Sequence, residues 1–371
     1  MAAAWADVSL AAVAANVETL RALCTPAEVC AVVKADGYGH GAVPVARAAV
    51  EAGAAWLAVA QVTEATELRA AGLTVPILLL SEPRPGDLEE ALAAAVALTV
   101  YTPELVGRLG AAARAGDAPV PLHLKVDTGM RRVGADPRDV VALATSIAED
   151  PTLSLDAVWT HCAVADDPND PFTAAQLERF DAVVARVEAA GLAVPMRHAA
   201  NSAAAIAHPA SRYDLVRCGI AVYGIPPAPG LANRLALEPA VRLATEVAFV
   251  KPVSVGEGIS YGLRHRVAAD TVVATLPIGY ADGVFRALGT SGQEVLIGGR
   301  RHPMVGTVTM DQVMVDVGPG SGVRAGEEVV LLGAQGGERI SPDEWAARLG
   351  TIAYEVVCAL GPRVERRYVG P

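Results

Sequence analysis

Residues Glu28–Gly72 read EVCAVVKADGYGHGAVPVARAAVEAGAAWLAVAQVTEATELRAAG. In this stretch the apolar run VCAVV gives way at Lys34 to a glycine-rich turn and then to AVPVARAAVEAG, whose apolar residues have helical spacing and whose last glycine suits a helix C-cap. WLAVA from Trp56 followed by TEATELRAAG repeats the arrangement. A short buried strand followed by a helix, twice in succession, is the unit of an α/β chain. Working outward, further apolar runs occur at PILLL from Pro76, ALTVY ending at Tyr101, PLHLKV from Pro121, LDAVWT from Leu155, VPMRHA from Val194 and DLVRCG from Asp214. Helix-like stretches such as LAAVAANVETLRAL, PELVGRLGAAARAG and AAQLERFDAVVARVEAAG alternate with them. Eight strand candidates alternating with helices is the count of a (β/α)8 TIM-like barrel, although an open doubly wound sheet has the same periodicity.

Past PPAPGLANR, a turn-rich linker at residues 226–234, the pattern changes. RLATEVAFVKPVSV, DTVVATLP, EVLIGG, MVGTVTMDQVMVDVG and EEVVLLG are strand-like runs separated by Gly, Pro and Asp, with one helix-like piece, PDEWAARLG. The expected organisation is a barrel over residues 1–236 and a mainly β domain over residues 237–371.

Composition narrows the functional classes. The 371 residues are 52% hydrophobic and 19% charged, which excludes a disordered chain, and the net charge of -11 argues against a nucleic-acid partner. Five scattered cysteines without CxxC spacing fit a reducing compartment. MAAAWADVSL lacks the basic and apolar regions of a signal peptide, and the apolar runs are broken well before the ~18 residues a membrane helix needs. A cytoplasmic protein without membrane contact is expected.

Polar residues cluster at the ends of the strand candidates. Lys34, Asp127 and His161 end or follow their runs, Asn201 and Ser202 follow VPMRHAA, and Arg217 and Gly219 close the DLV run. Each alone reads as a solvated loop residue, but in a barrel all would gather at the carboxyl-end face, where sites of such barrels are built. A lysine directly after a buried strand is desolvated, which favours the neutral amine that Schiff-base chemistry requires. HAANSAA reads as a loop entering a short helix, and CGIAVYG offers backbone amides; both suit a phosphate. Neither GxxxxGK[ST] nor a strand-coupled GxGxxG occurs, and the histidines and cysteines lack metal-ligand spacing, so no metal is expected.

AVVKADGYGHG closely resembles the cofactor-lysine motif of the bacterial alanine racemases. The likeness continues, in the family's order, through HLKVDTGMRRVG, THCAVADD, HAANSAA, DLVRCGIAVYG, GEGISYG, LPIGYADGV, VGTVTMDQVMVD and IAYEVVCAL. The resemblance implies pyridoxal 5'-phosphate as cofactor, alanine as substrate, a homodimer, and D-alanine for peptidoglycan as product. Residue by residue, it implies that Lys34 binds the cofactor covalently and is the base on the D side, and that Tyr261, contributed by the partner subunit, is the base on the L side. Arg217 would face the pyridine nitrogen and His161 would link it to Tyr261. Arg132 would contact the substrate carboxylate, with Lys125 as a lysine often carbamylated in the family. Tyr38, Ser202, Gly219, Ile220 and Tyr354 match the groups that hold the phosphate; Tyr280, Met310 and Asp311 match partner-chain residues on the approach to the site. The sequence departs from the family at Arg131, usually glycine; at Ala353, usually asparagine; and at Thr307, where an arginine is frequent.

Rival readings differ in what they need. A single-barrel pyridoxal-phosphate carrier would end before the β domain, and a decarboxylase of this fold would place an acid where Arg217 stands. A racemase of another small amino acid such as serine shares every feature named. Without the resemblance, Lys34 alone would suggest a cofactor-free barrel aldolase.

Overall fold

The computed structural model describes residues 4–113 and 118–370. After a first strand, β1 (Ala4–Ser9), all eight expected runs are strands: β2 (Glu28–Val32), β3 (Trp56–Val59), β4 (Ile77–Leu79), β5 (Ala97–Val100), β6 (Val120–Lys125), β7 (Leu153–Trp159), β8 (Met196–His198) and β9 (Leu215–Cys218). They pair in parallel in the order β8-β7-β6-β5-β4-β3-β2-β9. The two ends of this ladder lie alongside each other, where the Arg217 amide donates to the Ala200 carbonyl and the Asp214 amide to the Arg197 carbonyl, each at 3.0 Å. The eight strands thus form a nearly closed barrel. Their near-continuous apolar runs follow from burial on both faces, by barrel interior on one side and helices on the other. The doubly wound alternative is excluded, because strand order follows chain order around the sheet. The glycine end expected for the PELVGRLGAAARAG helix, Gly116, lies outside the described residues; that helix runs Pro103–Ala113.

Contacts divide the chain into two units, one of Ala12–Gly37 and Ala42–Glu238, the barrel unit, and one of the residues up to Ala11, Tyr38–Gly41 and the chain from Pro239, the β unit. The sequence reading places everything before residue 237 with the barrel. The first strand departs from that reading because β1 pairs antiparallel with β10 (Val241–Glu246), Val8 opposite Val241, and parallel with the last strand, Trp5 opposite Glu365. Partners more than two hundred residues away leave no local signal.

The β unit also holds β11 (Phe249–Val253), β12 (Gly258–Ile259), β13 (His265–Arg266) and β14 (Thr271–Leu276). MVGTVTMDQVMVDVG is not one strand: only Val313–Asp316, β15, pairs with β14, and residues 305–312 turn back through the Thr309 amide on the Gln312 carbonyl at 2.9 Å. A second helix, Ala353–Cys358, follows the expected one at Pro342–Leu349.

Candidate active site

Lys34 follows β2 and opens a left-handed turn. Ala35, Asp36, Gly37 and Tyr38 have φ of 53, 50, 58 and 52°. Left-handed backbone costs a residue with a Cβ roughly 1–2 kcal/mol, so the turn must be held. It is held by the Ala35 amide on Glu64 Oε1 (2.6 Å), the Ala42 amide on Asp36 Oδ1 (2.9 Å) and the Gly37 amide on the Val33 carbonyl (2.9 Å). A Cβ on Gly37 would come within 3.3 Å of the Ala42 backbone. Lys34 is half-buried rather than fully desolvated.

The barrel interior supplies a buried cation. Arg217, at 3% exposure on β9, donates from Nη1 to His198 Nδ1 (2.8 Å) and from Nη2 to the Thr160 and Ala199 carbonyls (3.0 Å each) and to His161 Nδ1 (3.2 Å). No carboxylate meets it among the described residues, and its Nε makes no hydrogen bond there. The cation is stabilised, without being neutralised, by Trp159, whose ring lies 4.5 Å from the guanidinium and 4.3 Å from Lys125 Nζ. His198 stacks on the same ring at 5.2 Å.

His198 Nε2 lies 3.0 Å from His123 Nδ1. Burial first, and the Arg217 charge second, hold His198 and His161 well below the ordinary histidine value and His123 down to about 3, so all three are neutral. Neutrality fixes the tautomers. Arg217 can only donate, so His198 accepts at Nδ1 and carries its proton on Nε2; His123 then accepts at Nδ1 and carries its own on Nε2, which has no partner among the described residues.

Lys125, Asp127, Met130, Arg132, Thr160 and His161 line one recess of the barrel unit. Burial, then the positive charges of Arg217 and Arg132, push the Lys125 amine down to about 7. The His161 backbone is pinned by buried Gln176, which donates to its carbonyl at 3.1 Å and accepts from the Ala163 amide at 2.8 Å.

Ser202 begins the helix Ser202–Ala207, with Asn201 as N-cap accepting from the Ala204 amide at 2.9 Å. The expected amides of CGIAVYG are not all free: Gly219 and Ala221 donate to Ser202 Oγ at 2.9 and 3.4 Å. The Ser202 oxygen takes these two amides, which leaves its hydroxyl proton and the Ile220 amide between them as the donors that suit a phosphate. Donor cradle, strand-end lysine and a buried guanidinium with a spare Nε together fit a pyridoxal phosphate.

In the β unit, the Tyr38 and Tyr354 rings lie 6.3 Å apart. Gly39 admits the close approach of the Val357 carbonyl, 2.4 Å from where a Cβ would stand. Tyr261, Tyr280, Met310 and Asp311 line one open groove of about 1070 Å³. The first three are 74%, 44% and 52% exposed. Asp311 is paired with Arg363 at 2.8 Å, and Arg363 also grips Asp282 at 2.8 and 3.0 Å. The sequence reading omits Arg363, His123, His198, Trp159 and Gln176. His198 and Trp159 carry the same strand-end signal that singled out His161 and Lys34.

Residues 8–227 match the family model for the alanine racemase N-terminal domain and residues 240–368 that for its C-terminal domain. The alanine racemase of Symbiobacterium thermophilum is 48% identical over 99% of this chain and 97% of its own length. Among solved structures, the alanine racemase of D-cycloserine-producing Streptomyces lavendulae superposes with a TM-score of 0.94 at 40% identity, covering 100% of this chain and 98% of that one. That of Bacillus anthracis, with bound L-Ala-P, does so at 0.93 and 38% identity, covering 100% and 96%. The chain belongs to the alanine racemase family.

The three positions that the resemblance sets apart from the family have distinct local settings. Arg131 occupies a left-handed position, φ 58°, a backbone conformation that favours glycine. The Arg131 side chain is 73% exposed and turned toward Asp127 at 3.8 Å, whereas Arg132 lines the recess with Lys125 and His161. Thr307 is buried and hydrogen-bonded, and Ala353 is the buried first residue of its helix. As a racemase, the chain is an isomerase.

Proposed function

We propose that this protein interconverts L- and D-alanine with pyridoxal 5'-phosphate bound at Lys34, as a homodimer in which Lys34 and Tyr261 of the partner subunit are bases on opposite faces of the substrate. The observation that carries the reading is Arg217, a permanent cation inside a barrel, oriented by neutral acceptors and left with a spare Nε. The cofactor, when bound, withdraws electrons from the substrate Cα and makes its proton acidic enough for a side-chain base.

The protein's residues do the rest. Ser202 Oγ and the Gly219 and Ile220 backbone would hold the phosphate, a role the resemblance also gives Tyr38 and Tyr354. Arg217 would face the ring nitrogen with a guanidinium that donates a hydrogen bond but keeps its proton, and so would temper electron withdrawal and limit transamination. Arg132 receives the substrate carboxylate, and Lys125, carrying a carbamate, would orient Arg132. His161, neutral, couples Arg217 to the tyrosine base. Lys34 moves the Cα proton on the D side and Tyr261 on the L side; two bases avoid any need for the substrate to turn over in the site. Tyr280, Met310 and Asp311 shape the approach. Exposed Tyr261, Tyr280 and Met310 on one groove support a second copy as their cover.

Cytoplasmic D-alanine supply for peptidoglycan follows from the same reading. Among the described residues no helix is long and apolar enough to cross a membrane. Purified protein loaded with pyridoxal phosphate should abolish the optical rotation of either alanine enantiomer, with serine turned over more slowly. Equal or faster loss with serine favours a broader racemase. A loaded protein that racemises neither is a cofactor carrier.

A further inference from the structure

Tyr261 sits at the tip of the β12–β13 hairpin, where Ile259 pairs with His265. The tip is conformationally costly: Ser260 has φ 62° and ψ -174°, Gly262 has φ 77° and Leu263 has φ 44°. Two of these three left-handed residues carry a Cβ, and such backbone persists only where neighbours over-determine it. The neighbour is the segment around Thr307. Ser260 Oγ donates to the Thr307 carbonyl at 2.7 Å, and Thr307 Oγ1 donates to the Tyr261 carbonyl at 2.9 Å. The pair of bonds is reciprocal, each hydroxyl closing on the other residue's stretch of backbone.

The surroundings make the clasp rigid at one end and free at the other. Thr307 is 4% exposed, and Ile259 and Val305, which precede the two halves of the clasp, share one apolar cluster with Val253, Val267 and Val273. Gly306, at φ 76°, lets the strands close: a Cβ there would lie 2.8 Å from the Ile259 carbonyl. Tyr261 itself is 74% exposed, so its ring is not placed by packing within its own chain. Its backbone is placed by Thr307.

We propose that Thr307 is a positioning residue for Tyr261: its hydroxyl, through the Tyr261 carbonyl, fixes where the phenol is presented. The inference rests on Tyr261 being the L-side base. Loss of the hydroxyl should slow the L-side proton transfer and leave the D-side transfer at Lys34 untouched, because only one of the two bases moves.

The test compares Thr307→Val, which keeps the shape and removes the hydroxyl, with Thr307→Ser, which keeps the hydroxyl, in the cofactor-loaded protein. With alanine deuterated at Cα, Thr307→Val should lower kcat roughly 10- to 100-fold, the range a misplaced catalytic group costs, with little change in KM. The substrate isotope effect should rise for L-alanine and fall for D-alanine, as the tyrosine step becomes limiting in both directions. Thr307→Ser should restore both. If Thr307→Val does not fold, Ser260→Ala, which removes the reciprocal bond, carries the same expectation. Isotope effects that stay put or move equally for both enantiomers overturn the inference. A Tyr261→Phe control separates the two layers: if that variant still removes the proton of L-alanine, the assignment of Tyr261 is what fails.

Discussion

His198 accepts a hydrogen bond from Arg217 at 2.8 Å and does so as a neutral group. A carboxylate would hold the guanidinium equally well, but it would cancel the charge on which the reading of Arg217 depends. Orientation and charge are thus supplied separately, the first by an imidazole and the second left intact.

That separation predicts a split between stability and activity. His198→Ala leaves an Arg217 N–H unsatisfied and opens a cavity, and should cost about 2–4 kcal/mol in denaturant unfolding. His198→Asp restores an acceptor and should recover much of that stability while racemisation stays depressed and the share of transamination rises. An aspartate variant with full activity would show that the free charge of Arg217 is not needed.

The buried histidines set a pH dependence. Their folded pKa values lie below the ordinary 6.5, so in that window the unfolded chain binds more protons than the folded one. Stability therefore rises with pH, and is lost as pH falls from 6.5; for His123 the window reaches down to about 3. His123→Gln, whose oxygen can still take the His198 proton, should reduce the slope of unfolding free energy against pH by about one proton between these limits. Chemical denaturation at a series of pH values measures it, and an unchanged slope would mean that His123 is not held neutral.

Lys125, with its amine near pKa 7, is predicted to take up carbon dioxide. The neutral amine attacks the carbon and loses one proton, giving a carbamate that faces Arg132. Carbon-13 bicarbonate should yield a carbamate resonance in the wild type that is absent in Lys125→Ala. No such resonance at neutral pH would leave Lys125 as an unmodified amine of the recess.

A shared site predicts complementation. Lys34→Ala and Tyr261→Ala chains, each inactive, should regain activity on mixing, up to about one working site per heterodimer by two-fold symmetry. Demonstrated subunit exchange without recovered activity would count against a tyrosine supplied in trans.

The barrel was legible because its strands are buried on both faces and each of β2–β8 is followed by a helix, so β2–β9 stand out as apolar runs. The strand β1 was not, because AWADVS has partners only at the far end of the chain. At the site, Lys34, Asp127, His161 and Arg217 were marked by their positions at or just after strand ends, whereas Lys125 was marked only by the resemblance. Arg363 and Gln176 were not, because what gives them meaning is a contact across the fold with Asp282, Asp311 and the His161 carbonyl. The left-handed tip at Ser260 and Leu263 also leaves no pattern in side-chain types, since only Gly262 is of the type such backbone favours.

The opposed pair of bases is tested most directly by one early-time exchange experiment. Either enantiomer of alanine, protium at Cα, is incubated in deuterium oxide with the cofactor-loaded protein and sampled before a tenth of it has turned over. Two bases predict that the first product to appear carries deuterium at Cα, whichever enantiomer is supplied, because the proton removed by Lys34 is not the one delivered by Tyr261. Product that retains the substrate's own protium would show a single base serving both faces, and would contradict the account.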